Sequence, residues 1–237
     1  MNQEPILITG VGKRLGLSLA RTLLSRGFSV LGTYRSDRPS LEQLRINGAV
    51  LYKCDFHDEK QLQVLLKSVT DNHKSLRAII HNASDWLPDN HELPAKEIMK
   101  RMMQVHVAAP YQINLSLAPL LEASENSHAD IIHIGDYVSS HGSKKHIAYA
   151  ASKAAQDNLT YSFSAKLAPK VKVSSLAPAL VLFDKDNDAN YREKTLEKSL
   201  MQRVGGIDEF QHAIDYLLSS SYVTGRVLPM DGGRHLR

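Results

Sequence analysis

Tyr149 and Lys153 stand four residues apart in the stretch Y-A-A-S-K. On a helix, side chains at i and i+4 project from one face, so this spacing gives a phenol and an ammonium a common face. A free phenol titrates near about 10 and is a poor acid or base at neutral pH. A nearby ammonium favours the phenolate and lowers that value, each unit being worth about 1.4 kcal/mol. A tyrosine tuned in this way can give or take a proton opposite a hydride donor, and the lysine can also hold a nucleotide ribose. The pair alone is weak, because the same spacing arises by chance on many surface helices.

A second chemical signal stands near the start. T-G-V-G-K-R-L-G, from Thr9 to Gly16, follows a short apolar run and opens a helical pattern. Gly10, Gly12 and Gly16 permit a tight turn and close approach of the backbone to a pyrophosphate, which then rests on unpaired N–H groups of the helix. A P-loop is excluded, since that motif needs four residues between its glycines and Ser or Thr after the lysine; here Arg14 follows Lys13. A plain strand-to-helix turn is the competing reading. After the next apolar run comes T-Y-R-S-D-R, which offers both Arg35 and Asp37. An acid there suits the ribose hydroxyls of NAD, and an arginine suits the 2′-phosphate of NADP. Arg35, with Ser36 beside it, favours NADP, leaving Asp37 as a solvated turn residue. Asp55 is either an acceptor for the adenine amino group or a residue of a helix N-terminus ahead of Asp58.

The elements that must position these groups alternate between strand-like and helix-like. Strands are expected over 5–9, 28–34, 49–53, 76–80, 130–134 and 171–176, and last in V-L-P-M-D-G-G. Helices are expected over 13–26, 41–47, 58–71, 94–121 (bent near Pro110) and 146–167, with a polar loop over 178–191. Strict alternation implies right-handed crossovers and a parallel sheet of about seven strands covered on both faces: an α/β, doubly wound Rossmann domain over 1–237. Ligands then sit at the carboxyl ends of the strands.

Composition agrees. The chain has 237 residues, 43% hydrophobic and 23% charged, with a net charge of +4 spread along its length. No basic run with interleaved aromatics marks a nucleic-acid site. One cysteine excludes an intrachain disulfide, and neither a leader pattern nor an apolar run of about 18 residues is present. The expectation is a soluble cytoplasmic protein that binds small anions, with no metal site, nucleic acid or membrane as partner.

Taken together, T-G at the first turn, H-N-A at 81–83, Tyr149 with Lys153, A-P at 177–178 and T-G-R-V-L-P-M-D-G-G at 224–233 resemble the short-chain dehydrogenase/reductases along the full length. Within them, H-N-A-S-D-W, D-Y-V, K-H-I-A-Y-A-A-S-K-A-A and D-G-G-R-H-L-R resemble the pteridine reductases. The resemblance implies an NADPH cofactor held by Gly10, Gly12, Arg14, Leu15, Gly16, Tyr34, Arg35, Ser36, Asp55, Asn82, Ala83, Tyr149, Lys153 and Pro178. It implies Tyr149, Lys153 and Asp136 as catalytic residues. Arg14, Ser84, Trp86, Asp136, Tyr149 and Leu180 would contact substrate, with residues 178–203 as the substrate loop region.

Asp136 takes the place of the family's usual serine. An ionised carboxylate cannot donate a hydrogen bond to a ketone, whereas the C6=N5 bond of a dihydropterin needs a proton at N5. The implied reaction is reduction of 7,8-dihydromonapterin, with dihydrofolate slower. Arg14 in the first turn of a helix is unfavourable against the dipole unless an anion lies there, which agrees with its implied role. Trp86 would stack on the pterin, or else be a core or interface tryptophan. His106 stands where many relatives have a water-holding Asn, and is equally a satisfied core histidine. The resemblance also implies a homotetramer, with the tail R-H-L-R approaching a neighbour's site. Two rival readings remain: a generic carbonyl or acyl-thioester reductase, and an NADP-sensing regulator without turnover.

Overall fold

Runs of branched aliphatic residues form the strands, and each alternates its side chains between two faces. In the computed structural model, which describes residues 4–237, the strands are β1 (Ile6–Ile8), β2 (Val30–Tyr34), β3 (Val50–Lys53), β4 (Ala78–His81), β5 (Ala129–Ile134), β6 (Val171–Pro178) and β7 (Arg226–Met230). The helices are α1 (Arg14–Ser25), α2 (Pro39–Ile46), α3 (Glu59–Asn72), α4 (Ala95–Met103), α5 (Ala109–Glu122), α6 (Val138–His141), α7 (Ile147–Leu167), α8 (Ala189–Leu196) and α9 (Gly206–Ser219). All strand pairs are parallel, in the order β3-β2-β1-β4-β5-β6-β7. The strand order therefore reverses between β1 and β4, and a crevice opens outside their carboxyl ends.

Period-two alternation divides the core. Leu7 of β1 faces a cluster built with Leu62, Leu66, Ile113, Leu117 and Phe163 from α3, α5 and α7. Its neighbours Ile6 and Ile8 face the opposite cluster, built with Leu19, Leu23, Phe210 and Ile214 from α1 and α9. Asp58 caps α3 by accepting from the N–H groups of Lys60 and Gln61.

Three expectations change. The long helix over 94–121 is interrupted just before Pro110 by a π-helical turn, Gln104–Ala108. A proline removes the N–H that would reach residue i−4 and its ring crowds that carbonyl; here residue i−4 is His106, and the wider turn relieves both. The loop after β6 is shorter than 178–191, because β6 extends to Pro178 and Asp188 caps α8 through the Tyr191 N–H. A short helix, α6, follows β5 where none was expected.

Polar groups also lie inside the sheet. His81 and His133 are register partners on β4 and β5, with their rings stacked 5.0 Å apart. His81 Nε2 donates to Asn114 Oδ1 at 2.7 Å, and His133 Nδ1 bonds Thr160 Oγ1 at 2.8 Å. Burial pushes His81 down to about 4 and His133 well below the ordinary histidine value of 6.5, so both are neutral. The unfolded chain takes up protons at these positions near pH 6.5, and the folded chain refuses them. Stability is therefore expected to fall as pH drops from 6.5 towards 4. Urea midpoints at pH 7.5, 6 and 5 measure this, and His133→Asn should flatten the slope.

Candidate active site

Four hydrogen bonds tie the end of β4 to the first turn. Thr9 Oγ1 accepts from the N–H groups of Asn82 and Ala83 at 3.0 and 2.9 Å. Asn82 Nδ2 donates to the carbonyls of Thr9 and Gly10, each at 3.0 Å. The glycines make this approach possible. A Cβ at Gly16 would lie 2.2 Å from Gly10 O and 2.4 Å from Asn82 Nδ2, and one at Gly10, where φ is +75°, would meet Ala83 Cα at 2.9 Å. Helix α1 has no side-chain cap and no acid in its first turn. Its first N–H groups are left without a side-chain partner, the arrangement that receives a phosphate. The residues present thus fit a dinucleotide pyrophosphate. Leu15 packs against the core and anchors the turn from behind.

Arg14, at φ +51°, is one of two non-glycine residues with a left-handed backbone among those described. Its guanidinium pairs with Asp184 and lies 3.4 Å from Leu182 O, so it links the first turn to the loop after β6. Pro178 ends β6 and its carbonyl accepts from Tyr137 N at 3.0 Å, and Leu180 lies in the loop that follows.

On the other side of the turn, the arginine expected to favour NADP is paired with a carboxylate. Arg35 Nη1 donates to both oxygens of Asp85 at 3.0 Å, and His57 Nε2 lies 2.8 Å from the same carboxylate. Burial raises the Asp85 carboxyl, but the bonds from His57 and Arg35 outweigh it and hold the group well below the usual range. Ser36 is exposed beside Arg35, and Asp37 is an exposed residue paired with Lys53. Tyr34 is buried, its hydroxyl accepting from Arg45 at 3.1 Å, so its polar end is turned towards α2. Asp55 accepts from His57 N at 3.0 Å and is not the cap of α3, which is Asp58. Sequence reasoning missed Arg38. Its Cδ lies 3.5 Å from where a Gly12 Cβ would be, so this exposed cation covers the glycine turn. It also missed Asp85 and His57; a second acid directly after H-N-A-S was the available signal.

The reactive centre lies where α7 crosses the end of β5. Gly135 lets the chain turn there, since a Cβ would meet Ser175 Oγ at 2.8 Å. Tyr149 Oη then donates to Asp136 Oδ2 at 2.8 Å, while Asp136 Oδ1 accepts from Val138 N at 2.9 Å. Lys153 is fully buried and donates to Ile134 O at 2.7 Å and Gln156 Oε1 at 3.2 Å. These directions correct one expectation. Lys153 does not pull the Tyr149 phenol down. Burial, then the charge and hydrogen bond of Asp136, raise it well above 10. Two of the lysine's three protons go to those oxygens, and its Nζ lies 5.8 Å from the ring centroid. Burial raises the Asp136 carboxyl and lowers Lys153 to about 8. The pair is a phenol that keeps its proton beside a carboxyl that gains one more easily than usual, which suits proton donation.

Around it, His106 stands edge-on to Tyr149 at 5.3 Å, with Ser84 Oγ 2.8 Å from its Nε2. Trp86 is no core tryptophan: it is 62% exposed and stacks one face on His146 at 3.9 Å, three residues before Tyr149. Arg234, near the C-terminus, lies over the Tyr137 ring at 4.9 Å, so the chain's own tail reaches this end of the sheet. Among the described residues no cluster of three or more His, Cys, Asp or Glu side chains is arranged for a metal, and no helix is long and apolar enough to cross a membrane.

This arrangement has counterparts in known proteins. The dihydromonapterin reductase of Enterobacter sp. (strain 638) is 50% identical over 234 residues, covering 99% of this chain and 98% of that protein. Its counterpart from Escherichia coli O6:K15:H31 is 47% identical over 233 residues, covering 98% and 97%. The crystal structure of FolM alternative dihydrofolate reductase 1 from Brucella canis, complexed with NADP, superposes with a TM-score of 0.87 at 26% identity, covering 100% of this chain and 95% of that one. The short chain dehydrogenase family matches residues 4–194, and the chain belongs to that family.

Proposed function

We propose that the chain is an NADPH-dependent reductase of dihydropterins, converting 7,8-dihydromonapterin to its tetrahydro form and dihydrofolate more slowly. The observation that carries this reading is the 2.8 Å bond between the Tyr149 phenol and the buried Asp136 carboxyl. The names of the half-identical relatives and the NADP held by the Brucella protein support it.

The glycine turn and the N-terminus of α1 would hold the pyrophosphate, Lys153 the nicotinamide ribose and Asp55 the adenine amino group. Arg35, Ser36 and Arg38 would hold the 2′-phosphate. When bound, the reduced dinucleotide supplies the hydride that C6 of the pterin accepts. This chain's part is the proton. Tyr149 Oη gives its proton to N5, and Asp136, protonated from solvent, passes its own to Tyr149 across the bond already present. The raised phenol keeps its proton until transfer, and the raised carboxyl takes one up from solvent more readily than an ordinary aspartate. Trp86, held by His146, would lie against the flat ring, and Leu180 would line the pocket within a substrate region over 178–203. Arg14, paired with Asp184, would tie that region to the cofactor turn.

The described chain also leaves Tyr111, Leu115 and Tyr161 of α5 and α7 largely exposed. This apolar face would be covered in a homotetramer, which light scattering of the purified protein would size.

The reading is tested by NADPH oxidation with dihydromonapterin, dihydrofolate and a ketone panel. Asp136→Asn keeps an acceptor for Tyr149 but loses the transferable proton. Its kcat with dihydropterin is expected to fall by about 10² or more, with NADPH affinity within about threefold of wild type. Asp136→Ser restores a hydroxyl donor and should gain ketone turnover as pterin turnover falls. Ketone turnover exceeding pterin turnover in the wild-type protein would refute the proposal. For the cofactor, Arg38→Ala should lower the NADPH-to-NADH preference in kcat/KM by about tenfold, because a charge-assisted contact to phosphate is lost. An unchanged preference would remove Arg38 from the phosphate site.

A further inference from the structure

His106 is fully buried, sits in the π-helical turn and has both ring nitrogens hydrogen-bonded. The proton positions in its network follow from one fixed acceptor. Ser152 Oγ lies 2.7 Å from Tyr149 O, and a carbonyl only accepts, so the Ser152 proton is used there. At the 2.8 Å contact between Ser152 and His106, the hydrogen must then come from Nδ1. Burial, reinforced by the nearby charge of Lys153, holds the imidazole neutral. A neutral ring with its hydrogen on Nδ1 has a bare lone pair on Nε2. At the 2.8 Å contact with Ser84, the hydroxyl therefore donates. Asp85 O at 3.2 Å and the Tyr149 phenol also lie within reach of Ser84, but the buried Nε2 has no other donor among the described residues, so the single hydroxyl proton goes to it and points into the protein. Ser84 is exposed at the mouth of the site and lies against the Tyr149 phenol, so its oxygen lone pairs face the ligand space.

We infer that His106 is a positioning residue that turns the Ser84 hydroxyl inward, so that the site meets a bound heterocycle there with an acceptor and reads one of its N–H groups. The inference rests on the dihydropterin reading and deepens it. A 7,8-dihydropterin offers N–H donors at its exocyclic amine, N3 and N8. A simple ketone or ester has none on its reacting group, and would meet an unmatched lone pair at Ser84. His106 and Ser152 thus contribute to selectivity without touching substrate.

The test uses 7,8-dihydromonapterin and three analogues, each lacking one donor: 2-deamino, 3-methyl and 8-methyl. In the wild-type protein, KM is expected to rise about fivefold to tenfold for one analogue, the worth of one hydrogen bond left unmade. That penalty should shrink below about twofold in Ser84→Ala and in His106→Phe. The double variant should show no further loss, because the two residues act through one bond. Both changes should move KM more than kcat. His106→Gln should keep most of the penalty, since its amide can accept from Ser84 and donate to Ser152.

Ser152→Ala is a milder route to the same readout. It frees Nδ1 from its acceptor, lets the ring carry its hydrogen on Nε2, and should reduce the penalty with the imidazole still in place. NADPH dissociation constants and melting temperatures report whether each variant is folded; if His106→Phe fails there, Ser152→Ala and His106→Gln decide. A full penalty retained in folded His106→Phe or Ser152→Ala, or lost in folded His106→Gln, overturns the inference. So does a wild-type protein indifferent to all three analogues. Wild-type protein that binds NADPH but turns over no dihydropterin overturns the functional reading, and this inference with it.

Discussion

The close approach of Gly16 to Asn82 and Gly10 is the constraint on which the rest of the site depends. It leaves no room for a Cβ, and it brings the start of α1 within hydrogen-bond reach of the end of β4. Thr9 and Asn82 then close the gap with four bonds. The result is that two loops, one carrying the phosphate cradle and the other carrying Ser84, Asp85 and Trp86, share a single rigid base. A parallel sheet alone sets strand ends only roughly; these bonds set the two loops relative to each other.

Behind the loops, the site is a set of ionisable groups kept in unusual protonation states by burial. Tyr149 holds its proton, Asp136 leans towards holding one, and Lys153 gives its own up more readily than a free lysine. The direct cause is that these groups sit where α7 packs against β5, with backbone carbonyls and each other as partners in place of water. A charge in such a position is tolerated only when matched. Lys153 is matched by Ile134 O and Gln156, and Asp136 by the Val138 N–H and the phenol. The buried His81, His106 and His133 follow the same rule by staying neutral, which lets them serve as directional hydrogen-bond partners.

Much of this was legible beforehand because it depends on local signals. Period-two and helical patterning with glycine turns gave seven strands in the correct order of helix and strand, and the Tyr149–Lys153 spacing placed both on α7. An irregularity near Pro110 was expected, but not its form as a π-helical turn, and nothing local announced α6. Side-chain direction was legible only in part. Arg35 was read without its partner Asp85, which lies 50 residues away. Arg38 was overlooked because its nearness to Gly12 depends on how β2 leaves the sheet. The tuning of Tyr149 was read with the wrong sign, since i,i+4 spacing places Lys153 on the same face without saying where its ammonium points.

The π-helical turn has a consequence for how such a protein can change. One extra residue in a helical run rotates everything beyond it by roughly 100°. Upstream of the turn, Ile98 and Met102 pack with Tyr149; downstream, Ile113, Leu117 and Leu121 fill the core against the sheet. Deleting a residue here would restore a regular helix, swing the imidazole out of the site and turn the downstream apolar stripe to solvent in the same event. The placement of the His106 ring and the core register are therefore inherited as one unit. Variation at this place can proceed by exchanging side chains, while changes in length are closed to it.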